Sequence, residues 1–575
     1  MPVTLDLSTL GPLEEAVAEA RKRLGQERVA ARIRDRDHTL WGPRPEGIVD
    51  RLAWLDSPLE MAGRVRLIDD LLTGALRDGL TDALLLGMGG SSLAAEVYGR
   101  LLPLAGRRLR LSVLDSTDPA AIADLMAAID PARTLYLPAT KSGGTVETLS
   151  LLKHCYNLAM AAVGPRRAGK HFAAITDPGS GLQELAESLG FRELFLNDRE
   201  IGGRYSCLSF FGLVPARLAG ADPGRLLAGG RAARAEIVDD GVGLRLGAVL
   251  GAGVASGRDK LTLIPSPSLE PLGPWIEQLI AESTGKDGTG ILPIDGEPIG
   301  AAGSYAGDRL LVSLKLRREE DAPEVETLAG AGFPVVRLEL AEAYDVGAVM
   351  YVWKVATIVA AHRMGVNPFD QPNVESAKAL ARSMLDARRR EGALPAPPPD
   401  LVEDGVAAFG HVEGGALWSV IRDFLCLRDE VHPHPYVAFH AYLPPRPQVA
   451  GALARIRRGI RERTSLATTI GFGPRFLHST GQIHKGDSGH GRFVQVTCDD
   501  PDDLPIPDAP GEIASTTTFG MLKAAQASGD RQALIEGGRA VLRLHLAGGL
   551  TEGLEAMEEA FEKALASVPD TRRRR

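Results

Sequence analysis

Residues 134–152, TLYLPATKSGGTVETLSLL, hold the reading that decides the fold. The apolar run Thr134–Pro138 reads as a strand. The loop after it is almost entirely hydroxyls and glycine, and a helix begins near Thr145. Thr140, Ser142, Thr145 and Thr148 can donate hydroxyl hydrogen bonds, and Gly143 and Gly144 let backbone N–H groups approach a ligand closely. The positive end of the following helix adds to this, so the loop can hold a phosphate with few cations. A capped strand–helix turn needs one hydroxyl. Four around a Gly-Gly pair point to an anion cradle.

Outward from this loop, residues 81 to about 220 repeat apolar strand, loop and amphipathic helix. The strands read as Ala83–Met88, Leu109–Leu114, Thr134–Pro138 and Phe172–Thr176. Such alternation implies a parallel sheet covered on both faces. The loop after the first strand, LLLGMGGSSLAAEVYG, carries Gly87, Gly89, Gly90, Ser91 and Ser92. It invites a dinucleotide reading, with Asp115 where a ribose-binding acid would stand. The third glycine of the fingerprint is Ser92, however, and no Gly-Lys-Ser/Thr of a Walker A loop is present. Two hydroxyl-rich loops on adjacent strand ends fit a sugar phosphate better than a pyrophosphate.

A second alternating block follows, with strands Lys260–Pro265, Arg309–Leu316 and Val335–Leu340 and helices near 268–285 and 345–364. The expected organisation is α/β. It comprises a helical N-terminal segment (1–78), two doubly wound parallel-sheet domains (79–222 and 223–392), the stiff linker LPAPPPD, and an α+β extension (401–575). In the extension, strands are expected at Tyr436–Leu443 and Arg492–Thr497 and helices at Gln448–Thr464 and Glu552–Ala566.

The chain of 575 residues is 44% apolar and 24% charged, with net charge −9. This balance gives no reason to expect nucleic acid or an anionic membrane as a partner. No apolar run approaches the ~20 residues of a membrane span. The acidic N-terminal stretch has no signal-peptide character, and the four cysteines are scattered with no CxxC spacing. A cytoplasmic protein with reduced thiols and no metal site is expected.

Three further clusters carry chemistry. EIGGRYSCLSFFGL (Glu200–Leu213) places Arg204 behind a Gly-Gly turn that can aim a guanidinium at developing oxyanion charge; a surface arginine in a tight turn fits it equally. WIEQLIAESTGKDG (Trp275–Gly288) puts Gln278 and Glu282 four apart on one helix face. Glu282 there is a candidate general base, against the commoner solvated C-terminal Glu. NPFDQPNVESAKAL (Asn367–Leu380) puts Gln371 and Lys378 about two turns apart, Lys378 being otherwise a surface lysine paired with Glu375.

Together these clusters resemble the glucose-6-phosphate isomerase family, built from two sugar-isomerase (SIS) domains. GGRYSCLS and PFDQPNVESAK look like its two signatures, ESTGK like the catalytic-glutamate segment and ATKSGGTVET like the phosphate loop. The resemblance covers about residues 80–390. It implies a cytoplasmic enzyme interconverting glucose 6-phosphate and fructose 6-phosphate through a cis-enediolate, without metal or redox cofactor. By that resemblance Glu282 moves the proton between C1 and C2, Arg204 stabilises the enediolate and Lys378 assists ring opening. Gln278 and Gln371 position the sugar, while Gly90, Ser91, Thr140, Lys141, Ser142, Thr145 and Thr148 hold the phosphate. A homodimer is implied as well. Alternatives are a non-catalytic sugar-phosphate sensor on SIS domains, an isomerase of broader hexose 6-phosphate specificity, and a nicotinamide-dependent oxidoreductase using the Gly87 loop.

One departure stands out. The family uses a ring-opening histidine between the glutamate and the lysine, and contributes it across a dimer. Here only His362 lies between Glu282 and Lys378, inside an apolar helix. GPRFLHSTGQIHKG (Gly473–Gly486) is the better match, with His478 in the role and His484 as the fallback. The order Glu282, Lys378, His478 resembles the isomerase part of fused transaldolase/glucose-6-phosphate isomerase proteins. The 80 residues before the first SIS-like domain are too few for a transaldolase barrel of ~250 residues. His432, His434 and His440 read as edge or structural residues.

Overall fold

The computed structural model describes residues 2–373, 380, 383–384, 398–410, 415–427 and 435–569. The chain opens on a strand, β1 (Val3–Thr9), inside the segment 1–78 that was expected to be helical. VTLDLST alternates apolar and polar with period two, so Val3 and Leu5 are buried while Asp6 is exposed. Helices follow at Glu14–Gln26 and Val65–Arg77.

The first sheet comprises β2 (Asp82–Gly87), β3 (Arg110–Leu114), β4 (Thr134–Ala139), β5 (Ala173–Thr176) and β6 (Glu193–Leu196), in the order β3-β2-β4-β5-β6, all parallel. Central β2 and β4 are buried along their whole length, which is why their sequences are continuous apolar runs. The second sheet holds β7 (Lys260–Pro265), β8 (Leu292–Ile294), β9 (Arg309–Leu316) and β10 (Val335–Leu340), ordered β1-β10-β9-β7-β8. All its pairs are parallel except β1 against β10. Helix Val346–Met364 runs through the shared core. Expected as a helix near 345–364 but not as a run approaching a span, Ala343–Met364 is long and apolar enough to cross a membrane by length and composition, and its most apolar window is 89% buried inside the protein.

The extension was expected as α+β but forms a third, mainly parallel sheet. Its strands are β11 (Leu401–Glu403), β12 (Val406–Phe409), β13 (Tyr436–Tyr442), β14 (Ala467–Phe472), β15 (Gly491–Cys498) and, after a small antiparallel pair β16 (Pro505–Ile506) and β17 (Thr517–Thr518), β18 (Ala540–Leu546). The order is β11-β12-β18-β15-β13-β14, and β18, β15, β13 and β14 are mutually parallel. The physical reason is the crossover helix Pro447–Thr464, which carries the chain from the end of β13 back to the start of β14.

This third sheet has two unlike faces. Val437, Phe439, Val494, Val496, Leu542 and Leu544 form one apolar core with helices Leu417–Leu425, Pro447–Thr464 and Leu550–Ser567. The other face presents His440, Gln495, Thr497, Arg543 and His545 in register. Helix Phe519–Glu536 covers it, with Ala527 O accepting from Gln495 Nε2 at 2.9 Å. This polar face is turned toward the first sheet. Lys523 reaches Asp118 at 2.8 Å, and Arg475 reaches Glu96 at 2.6 Å and Asp115 at 3.3 Å.

Candidate active site

A cleft of about 690 Å³ lies at the carboxyl ends of β2 and β4, where ligands bind in open α/β sheets. Gly90, Ser91, Thr140, Lys141, Ser142 and Thr145 form one side; Arg204, Gln278, Glu282, Gln371 and His478 form the other. Two glycines make this approach possible. A Cβ on Gly89, at φ +52°, would lie 2.6 Å from both Gln278 Nε2 and His478 O. One on Gly90 would lie 2.3 Å from the Gly203 carbonyl, directly before Arg204.

On the hydroxyl side, Thr145 sits at the N-cap of helix Val146–Val163, but its Oγ1 meets Thr140 Oγ1 at 2.7 Å instead of capping. Gly143 turns at φ +70°, where a Cβ would strike Ser180. Lys141 is tied to the Asp177 carboxylate and donates to Arg199 O at 2.6 Å. Thr148 departs from expectation: it lies one turn inside the helix, is fully buried and does not line the cleft. Arg51, Ser180 and Arg199 line this side too and were not singled out by the sequence reading.

Helix Leu272–Thr284 presents Gln278 and Glu282 one turn apart. Glu282 Oε2 accepts from Arg204 Nη1 at 3.2 Å and from Gln278 Nε2 at 3.4 Å. The remaining guanidinium donors reach Ser283 Oγ (3.0 Å), Gln371 Oε1 (2.8 Å), Pro368 O (2.7 Å) and Asp370 O (2.9 Å). Lys286 fastens the same loop, donating to Asn367 O at 2.7 Å and to Asp370 O and Oδ1 at 2.6 and 2.7 Å. Burial first, then the nearby Arg204 charge, depresses its ammonium to about 8.

His478 enters this cleft from the turn after β14, in the same chain. Its carbonyl accepts from Gln278 Nε2 at 2.8 Å, and its Nε2 meets Glu147 Oε1 at 2.9 Å. Gln526 Nε2 also donates to Glu147 Oε1, at 2.7 Å. Glu147 and Gln526 escaped the sequence reading. The available signal was a carboxylate in the first turn of an apolar helix, within the quoted hydroxyl loop.

The other histidine candidates stand apart. His362 bonds Leu40 O and Glu27 Oε2, each at 2.8 Å, away from the cleft. His484 is buried: its Nδ1 meets His440 Nε2 at 2.9 Å, and His440 Nδ1 meets Asp530 Oδ2 at 2.9 Å. His440 is therefore on an interior strand, with its polarity spent on an interior carboxylate. Burial raises Asp530, but Lys485 and His440 overcome this and hold it well below the usual carboxylate range. Asp115 takes Arg475 and Ser92 and does not line the cleft, which removes the ribose-binding reading. Lys378, His432 and His434 lie outside the described residues.

The phosphoglucose isomerase family model matches residues 66–243. A glucose-6-phosphate isomerase of Rubrobacter xylanophilus is 32% identical over 387 residues, 58% of this chain and 86% of that protein. One from Heliobacterium modesticaldum is 29% identical over 57% of this chain and 83% of its own length. Among solved structures, a glucose-6-phosphate isomerase from Chlamydia trachomatis shares the fold at TM-score 0.56 and 19% identity, over 68% of this chain and 90% of that one. The chain belongs to the glucose-6-phosphate isomerase family.

Proposed function

We propose that this chain interconverts glucose 6-phosphate and fructose 6-phosphate. The observation that carries the reading is a carboxylate, Glu282, held 3.2 Å from a guanidinium, Arg204, in one cleft with the hydroxyl loop. The phosphate is held by Ser91, Thr140, Ser142, Thr145 and Lys141 and the N-terminal end of helix Val146–Val163. His478, oriented by Glu147, gives a proton to the ring oxygen as the C1–O bond opens. Glu282 then takes the C2 proton, the electron pair moves into a cis-enediolate whose charge faces Arg204, a proton passes from O2 to O1, and Glu282 returns its proton to C1 as the C2 carbonyl forms. Lys378 is proposed as a second group at the ring oxygen by resemblance alone. The arrangement exceeds what a sugar-phosphate sensor needs, since such a module requires the hydroxyl loop without Glu282 and Arg204.

The deciding experiment is a coupled assay of fructose 6-phosphate isomerisation. Glu282→Gln should lose about 10²–10⁴-fold in kcat. Full turnover by that variant would sink the proposal.

A further inference from the structure

A second cleft, of about 890 Å³, opens on the polar face of the third sheet, beneath helix Phe519–Glu536 and toward the carboxyl ends of β15 and β18. Its lining shares no residue with the catalytic cleft. Two arginines face it, Arg543 on β18 and Arg531 on the helix. Neither forms an ion pair among the described residues. Arg531 makes no hydrogen bond there, and its Nε is buried without a partner. Arg543 donates one bond, from Nε to Thr497 Oγ1 at 3.3 Å, and its guanidinium lies 4.7 Å from the centre of the Phe409 ring.

The carboxylates around this cleft all carry other contacts, although Asp499 and Asp400 also act on Arg543 and Arg531 from a distance. Asp500 holds Lys523 at 2.5 Å, and Asp503 accepts from the Thr518 hydroxyl and the Gly520 amide. Asp499 lies 3.4 Å from His545 Nε2. Asp400, the acid that acts on Arg531, accepts from the Gly410 amide at 2.6 Å. Burial and the neighbouring Arg531 charge push Arg543 down, and Asp499 opposes them. Two unpaired guanidinium forks around one space are a recognition element for a planar or tetrahedral oxyanion. Phe409, Met521 and Ala527 offer apolar wall for the rest of a ligand.

We propose that this cleft is a second, non-catalytic binding site for an oxyanion-bearing small molecule, with Arg531 and Arg543 clamping its phosphate or carboxylate. The whole chain would be titrated by calorimetry with inorganic phosphate and, separately, with succinate. Phosphate should find two sites per chain. Combining Ser142→Ala with Thr145→Val should remove the catalytic one and leave the other, and adding Arg531→Gln and Arg543→Gln should weaken what remains at least tenfold. Succinate titrating the arginine site as well would assign it to oxyanions generally; phosphate alone would assign it to phosphorylated ligands.

Arg531→Gln/Arg543→Gln in the wild-type background should keep its isomerase turnover, which also reports folding. If turnover falls, Arg531→Gln alone carries the test, with at least fivefold weaker phosphate binding at this site expected. A single phosphate site abolished by the hydroxyl-loop variant, or phosphate affinity indifferent to the arginine changes, overturns the proposal.

Discussion

Arg204 makes the most demanding set of contacts in the protein. Its hydrogen bonds to Ser283, Glu282, Gln371, Pro368 and Asp370 use the five donors a guanidinium has. A lysine cannot reproduce that fork, so Arg204→Lys should lower kcat about 10²–10³-fold and also loosen the 367–371 loop. The variant's pH–rate profile and proteolysis of the loop would show the two effects separately. At His478, replacement by Ala should slow ring-closed substrate more than open-chain substrate; equal loss on both would remove the ring-opening assignment. Glu147 was missed because its meaning comes mainly from a partner 331 positions away. Glu282 and Arg204 were legible because each sits in a long motif, although nothing in their spacing foretold the direct contact.

At the scale of elements, the central strands buried along their whole length were readily legible. β2 and β4 appear as apolar runs, and helix Leu272–Thr284 as an apolar segment ending at Gly285. Strands such as β14 (ATTIGF) and β18 (AVLRLHL) were missed: Thr468, Thr469 and Gly471 interrupt the one, and Arg543 and His545 the other. Helix Leu272–Thr284 also carries a cost on its other side. Burial first, and then Asp295, raises the Glu277 carboxyl to about 8. Its native pKa exceeds the unfolded one, so the native state holds the proton longer, and stability falls as pH rises from about 4.5 to 8. Glu277→Gln should flatten that slope and leave the protein more stable at pH 9 by on the order of 2 kcal/mol, read by chemical denaturation. The glycine loop is equally exacting. Gly90→Ala would press a methyl into the Gly203 carbonyl, and should cost about 1–3 kcal/mol in a thermal melt while shifting Arg204 and raising KM.

For the whole molecule, the decisive arrangement is that the third sheet faces the first and delivers His478 beside Gln278, Glu282 and Glu147 of the same chain. The resemblance implies a histidine contributed across a dimer; His478 reaches the cleft of its own chain. Deleting residues 398–569 should therefore abolish turnover, and it also strips Ile506, Phe519, Leu522 and Ala525 from the core of the first sheet. Covalent attachment fixes the local concentration of that imidazole regardless of how dilute the protein becomes, so specific activity should stay constant from micromolar to picomolar enzyme. Mixing Glu282→Gln and His478→Ala chains tests the same point from the opposite side, since neither can lend the other its missing group and no activity should return. In a cell carrying one damaged and one intact copy, the intact chains would then work at their full individual rate, with no poisoning by mixed assemblies.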